Sequence, residues 1–484
     1  MSCLSCLPDE VLKAIMALIP FKDRLTSCCL VSKKLHAAAI AATECLDLPA
    51  LSPQPSTTGS SLPGWLRHYG QHLTRLHLGI PCRLLRLPCP MLLELKLSSL
   101  SCKVKLNATH GCLGALQQCT KLTRLELQCT ITDISHEGQA DGLSSLVNLQ
   151  HLEMKPTFGP RALSGATLPR LQCLTHLDVN ALSIENLLQL GGLTSLQELT
   201  LWSSWLVAGP RYIPGLTFPG SLKKLFLSRA VEGALLSLLP TGLEELEVKL
   251  NVEGPAEGPD SFLSGLARLQ SLTRLLIAPI RMAWPPAGPA YGALTASSNL
   301  VSLEVTGVTG PDGIWPYLFP ATHKLPQLTG FVWYPGPGEG DDDEDAFSPS
   351  WGAADLAGLV SCCPGLCEVQ TLHMQPGMQV SELHKLTALT SLFLSYNCED
   401  LDDFGDSVRG MAVLSQLHKL EVTQVCEHFR VSSLLPLTSL TALVHLKVQW
   451  SPGAGAGDDD DDYLHCTTSQ VNQPRRFWHC LMMV

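Results

Sequence analysis

The chain has 484 residues, 45% of them hydrophobic and only 16% charged, with a mean hydropathy of +0.17. That excludes wholesale disorder, which needs low hydrophobicity and high charge. It is also too long for one compact core, so several units or a repeat array are expected. Asp341, Asp342, Asp343, Glu344 and Asp345 form one acidic run and Asp458 to Asp462 another; removing their ten charges from the net −11 leaves −1 for the rest. A polyanion would be met by a basic face, and no such face is evident, so no nucleic-acid partner is expected.

Residues 7 to about 42 read as three short helices. Leu7-Pro8-Asp9-Glu10 opens the first, with Pro in the first turn and acids at its positive end. Val11, Leu12, Ile15, Leu18 and Ile19 give it an apolar stripe, and Pro20 closes it. Lys22-Asp23-Arg24 starts a second, and Ser32-Lys33-Lys34-Leu35-His36 leads into an Ala-rich third. The LPDEVL opening, the LIPFKDRL middle and the CLVSKKLH close, in that order, resemble an F-box. One departure is Leu35, where the family commonly has Trp. The resemblance implies docking on a Skp-type adaptor and, through it, on a cullin of an SCF-type ubiquitin ligase. It carries the contact over to Leu7, Pro8, Ile15, Leu25, Val31 and Leu35. Size agrees: about forty residues bury too little surface to stand comfortably alone, and a spare apolar patch marks a partner surface. The plain alternative is a helical cap for the array that follows. The boundaries read are 1–45 for this module and 46–72 for a linker, Pro-, Ser- and Gly-rich over 49–64. Cys45 to Leu48, just before the 49–64 stretch, is a possible edge strand of the array.

From Leu73 an apolar-x-x-apolar-x-apolar unit recurs about fourteen times, as LTRLHL, LLELKL, LTRLEL, LQHLEM, LTHLDV, LQELTL, LKKLFL, LEELEV and onward to LVHLKV at Leu443. A weaker copy lies between Leu366 and Met374. Most starts are 19 to 30 residues apart. The last two apolar positions of each unit share one face of a strand. One such strand cannot bury its face alone, so stacked units give a parallel sheet with an apolar spine. Leu-rich stretches such as GLSSLVNL from Gly142, ENLLQLGGL from Glu185, FLSGLARL from Phe262 and SELHKLTAL from Ser381 read as amphipathic helices on the outer side. The whole resembles the leucine-rich-repeat family. The expected fold is α/β: a curved parallel-sheet solenoid with outer helices over 73–450, preceded by the small helical module. The family's turn Asn is clear only at Asn397, which suggests an irregular array.

Residues between the apolar positions should face inward on such a sheet. Arg124, Glu126, His176, Asp178, Lys224, Phe226, Glu245, Glu247 and Arg274 are the candidates for binding a protein substrate. Mixed charge with a few aromatics suits a protein partner. The acidic, Gly- and Pro-rich segment near 334–352 and the tail 451–484 should be solvated or disordered. Their carboxylates lack the Gly and Glu spacing of an EF-hand loop.

No P-loop, dinucleotide fingerprint or nucleophile elbow is present, so catalysis, cofactor and metal are not expected. Cys3 and Cys6 lack a second pair, and Cys362, Cys363 and Cys367 read as small core fillers. Charged residues interrupt the N-terminal apolar runs early, so neither a secretory signal nor a membrane span is expected. The 19 Cys then read as reduced thiols of a cytoplasmic or nuclear protein. The function expected is substrate recognition for the ligase, with a ligase-independent interaction scaffold as the alternative.

Overall fold

The computed structural model describes residues 8–18, 38–39, 44–48, 66, 70–78, 89–97, 116–127, 140–154, 163, 167–180, 182, 184–202, 215–231, 233–252, 259–282, 288–306, 313–334, 351–374, 380–396, 408–425, 431–450 and 464–467. The chain divides into two units, Met1–Arg229 and Ala230–Val484.

The first unit opens with helix α1, Asp9–Leu18. The Pro8 carbonyl accepts from the amides of Val11 and Leu12 at 3.1 and 3.0 Å, which starts the helix. Eight strands follow: β1 Cys45–Leu48, β2 Arg75–Leu78, β3 Glu94–Leu97, β4 Arg124–Leu127, β5 His151–Met154, β6 His176–Val179, β7 Glu198–Leu201 and β8 Lys224–Val231. Each pairs in parallel with the next, equivalent residue to equivalent residue. The Cys45 to Leu48 segment therefore joins the sheet as its first strand.

The second unit repeats the plan with β9 Glu245–Val252, β10 Arg274–Met282, β11 Ser302–Thr306, β12 Gly330–Tyr334, β13 Glu368–Met374, β14 Ser391–Tyr396, β15 Lys419–Val425 and β16 His445–Trp450. These are parallel neighbours, and the weak copy after Leu366 supplies β13. Within the segment expected to be a disordered tail, Leu464–Thr467 forms β17, antiparallel to β16. The acidic runs 341–345 and 458–462, the 49–64 stretch and Asn397 lie outside the described residues. Each unit has the fold of a leucine-rich-repeat solenoid, one coil per parallel strand. No helix among the described residues is long and apolar enough to cross a membrane.

Five apolar positions per coil build the core, two more than the strand motif contains. In one coil they are Leu143, Leu146, Leu149, Leu152 and Met154; in the next, Leu168, Leu171, Leu174, Leu177 and Val179, all essentially inaccessible. Burying each contributes about 1.5–3 kcal/mol, an upper bound because the unfolded chain is partly collapsed. The first three positions are spaced by three, the period of a 3-10 helix. This corrects the expected helices. Ala140–Ser145 and Val380–Lys385 are 3-10 turns, and α2 at Ile184–Gln189 continues as 3-10 through Gly192. Only the stretch from Phe262 starts as a pure α-helix, α3, Pro259–Leu266, and it ends before Leu269. The second unit adds α4, Trp315–Leu318, and α5, Ala353–Cys362, over an aromatic core. There Trp315 stacks on Trp351 at 3.7 Å and meets Trp333 edge-on at 5.1 Å.

A repeated rung ties successive coils. The carbonyl of Leu93 accepts from the amides of Thr123 and Arg124 at 2.8 and 3.0 Å and from the Thr123 hydroxyl at 3.0 Å. The same hydroxyl bond runs from Thr74, Thr175, Thr273, Thr329 and Thr390 to the residue one coil earlier, at 3.0 to 3.2 Å. In each case the Thr directly follows the first Leu of the strand motif.

Candidate binding surfaces

Register places two rows of side chains on the solvent side of the first unit's sheet. One row runs Arg75, Glu94, Arg124, His151, His176, Glu198, Lys224; the other runs His77, Lys96, Glu126, Glu153, Asp178, Thr200, Phe226. The Leu residues between them point the other way, because strand side chains alternate.

These rows neutralise one another. Arg124 grips one Glu126 oxygen with Nη2 at 2.6 Å and Nε at 2.7 Å, and Lys96 Nζ holds the other at 2.7 Å. Glu94 lies 3.1 Å from His77 and 3.9 Å from Arg124. Glu198 lies 3.1 Å from His176 and 3.5 Å from Lys224. Asp178 accepts from Trp202 Nε1 at 2.6 Å, and Trp202 leans on Phe226 with ring centres 4.8 Å apart.

Glu126 was expected to be offered to a partner, yet it is 3% exposed. Burial pushes its carboxyl up, but hydrogen bonds from Lys96 and Arg124 outweigh that and hold it below the usual carboxylate range. It organises the surface from beneath. Arg124 and Lys224 are exposed, and His176, Asp178 and Phe226 are half-buried. The sequence reading did not single out Trp202, 40% exposed at the end of β7, because it falls after the repeat motif.

Next to Glu126, His151 and Glu153 extend the cluster. One ligand atom from each of Glu126, His151 and Glu153 lies within 4.8 Å of the others. His151 Nε2 stands 3.9 Å from Glu153, is buried and has no hydrogen-bond partner. Burial first, then Arg124 and His176, holds the imidazole below its ordinary pKa, so the neutral form is favoured.

On the second unit, Glu245, Glu247 and Arg274 occupy the corresponding rows, with Glu245 opposite Arg274. Burial raises the Glu247 carboxyl; Arg274 and Lys249 oppose this, and Glu304 adds to it. Further along, Glu421 is a hub, 2.8 Å from Lys419, 3.7 Å from His445 and 3.9 Å from Lys447. Tyr334 donates to Gln370, which donates to Glu368. Tyr334, Gln370, Ser391, Phe393, Lys419 and Glu421 line a shallow depression.

At the N-terminus, Leu12 and Met16 are buried while Pro8 is exposed, Val11 is 43% exposed and Ile15 is half-buried. The helix thus has apolar surface left over after its own packing. Lys13 reaches Glu44, just before β1, at 3.3 Å. Leu7, Leu25, Val31 and Leu35 lie outside the described residues.

Residues 4–39 match the F-box domain model. No curated protein matches the chain. Among solved structures, an internalin from Listeria monocytogenes is similar to it at 17% sequence identity, covering 90% of this chain and 93% of its own, with a TM-score of 0.42.

Proposed function

We propose that this chain is a non-catalytic substrate-recognition subunit of an SCF-type ubiquitin ligase. Its F-box docks on a Skp-type adaptor, and through it on a cullin, while the solvent side of the repeat sheet holds a target protein. The observation that carries this reading is the F-box match over residues 4–39. The apolar surface at Pro8, Val11 and Ile15 supports it, since a helix bound only to its own array would hide those residues. Such a subunit contributes proximity and leaves ubiquitin transfer to other proteins. It would work in the cytoplasm or nucleus, where those proteins are found. The target-binding candidates are Arg124, His176, Asp178, Lys224 and Phe226 on the first unit and Glu245, Glu247 and Arg274 on the second.

Copurification with a Skp-type adaptor tests the reading. The full chain should retain the adaptor, and a Val11→Asp, Ile15→Asp double variant should lose it while keeping the circular dichroism of the repeats. Failure of the unaltered chain to bind, or equal binding by the double variant, would favour a ligase-independent scaffold.

A further inference from the structure

Charge is placed differently in the middle of the second unit's sheet. On β11, β12 and β13 one solvent-side row reads Ser302, Gly330, Glu368 and the other Glu304, Val332, Gln370. Three consecutive strands therefore carry two carboxylates and no cation in these rows. Glu304 stands between Leu276 of β10 and Val332 of β12, and all three are half-buried. Among the described residues no cation lies within ion-pair distance of Glu304 or Glu368. Glu368 accepts a hydrogen bond from the neutral Gln370. Lys419, two strands beyond β13, is committed to Glu421 at 2.8 Å. A carboxylate flanked by alkyl groups is less well hydrated than one in open water, so it gains more from a cation brought to it.

Gly330 shapes the place. A Cβ there would meet Ser302 Oγ alone within 4 Å, at 3.7 Å, so the row has a notch that no side chain fills. Neighbouring strands lie about 4.8 Å apart, which sets Glu304 and Glu368 one strand to either side of that notch. Gly330, Val332 and Tyr334 share one face of β12, and Tyr334 is 37% exposed. The strand thus presents a gap, an alkyl group and an aromatic ring in line. The field of the acids converges here: burial first, then Glu304 and Glu421, raises the Tyr334 phenol, with Lys419 opposing and Glu368 adding. The neighbouring depression beside Tyr334 and Phe393 holds about 100 Å³, well below the roughly 300–1,000 Å³ of a small-molecule site. Its scale suits a side chain of another protein.

We infer that β11 to β13 receive an arginine from a basic segment of the target protein. Its guanidinium lies over Gly330 between Glu304 and Glu368, and its stem runs along Val332 toward Tyr334. This names the chemistry of the target and rests on the reading of the sheet as the target-binding surface. Arginine fits better than lysine for three reasons. Its planar fork can donate to carboxylates on two sides, it is more weakly hydrated, and it stacks on aromatic faces. Interface cores also favour arginine beside aromatic residues.

Fluorescence anisotropy of the full chain with labelled, end-blocked heptapeptides tests this, using peptides that alternate Ser with Arg, with Lys or with Glu. The acidic runs 341–345 and 458–462 attract any basic peptide, so titrations are run at about 0.15 M salt, where exposed charges beyond about 8 Å are screened. The Arg peptide should bind, the Lys peptide at least about threefold more weakly, and the Glu peptide not at all. Glu304→Gln and Glu368→Gln should each raise the Arg peptide's dissociation constant at least about fivefold. Gly330→Lys, which fills the notch with a cation, should raise it further, with the circular dichroism of the repeats unchanged in all three variants. No binding of the Arg peptide, equal binding of the Arg and Lys peptides, or an Arg-peptide affinity unchanged by all three substitutions overturns the inference. Copurification of the Skp-type adaptor with the same proteins keeps the two readings apart. Adaptor retained with Arg-peptide affinity unchanged removes this inference alone. Arg-peptide binding lost on substitution, in a chain that takes no adaptor, leaves the arginine site standing and removes the ligase reading.

Discussion

The two units use one motif to different ends. Strands β1 to β7 have four residues each, whereas β8, which reaches into the second unit, has eight and β9 to β16 run from five to nine. The first unit fills its coils almost wholly with Leu. The second gathers Trp315, Trp333, Trp351, Phe319 and Phe331 into one buried cluster. On the solvent side, the ion pairs among the first unit's described residues spread over adjacent strands, and in the second Glu421 gathers Lys419, His445 and Lys447 around one carboxylate. The motif therefore fixes strand register and the inward face. What fills the coil, and what stands on the outside, varies freely around it.

The strongest challenge to that contrast is removal of a core side chain from each unit. Trp315→Ala should cost about 3–5 kcal/mol, and Leu152→Ala, at the centre of an aliphatic coil, somewhat less within about 2–5 kcal/mol. Denaturant unfolding of each variant measures both. A smaller loss for Trp315→Ala would mean that the aromatic cluster is not what holds the second unit together.

A second effect appears only in alkali. In the first unit, burial pushes the Cys89 thiol up to about 12, with Cys119 adding to it, and burial pushes Cys119 up to about 11. The ordinary value is 9.0, so the folded state resists losing these protons. Their stabilising effect is complete below pH 9.0 and is lost as pH rises through the folded values. Stability should fall by about 1.4 kcal/mol per pH unit for each thiol in that window. Melting curves of the chain and of Cys89→Ala, compared between pH 8 and 11, should converge on the alkaline side. Parallel curves would count against a shifted thiol.

The smallest effect should be common to both units. Thr123→Val and Thr329→Val each keep the β-branched shape and delete only the hydroxyl bond of one rung, at about 0.5–1 kcal/mol apiece. Unequal losses in chemical unfolding would show that the rungs support one unit only.

Much of this was legible beforehand, for identifiable reasons. A strand announces itself through apolar residues two apart, so LTRLEL and its copies could be read directly. The Leu143, Leu146 and Leu149 series was equally visible and was read as an amphipathic helix without its type, since spacings of three and four blend in a short segment. Only the structure shows the spacing of three resolved into 3-10 turns. The burial of Glu126 was not legible. It depends on Lys96, which is brought alongside by strand pairing and not by nearness in the chain. The division of α1 into buried Leu12 and exposed Val11 was hidden as well, because adjacent apolar residues look alike until their neighbours are placed.

The Thr rung has a consequence for how such a chain can change. Each tie, through backbone amides and in places a Thr hydroxyl as well, involves the residue just past the strand motif's first Leu, so it places no demand on how many residues separate one tie from the next. There are 19 residues from Leu73 to Leu92 and 30 from Leu92 to Leu122, yet β2, β3 and β4 stay in step. Natural variation, or an engineer inserting a foreign peptide, can alter the length of a return segment while the neighbouring coils keep their alignment.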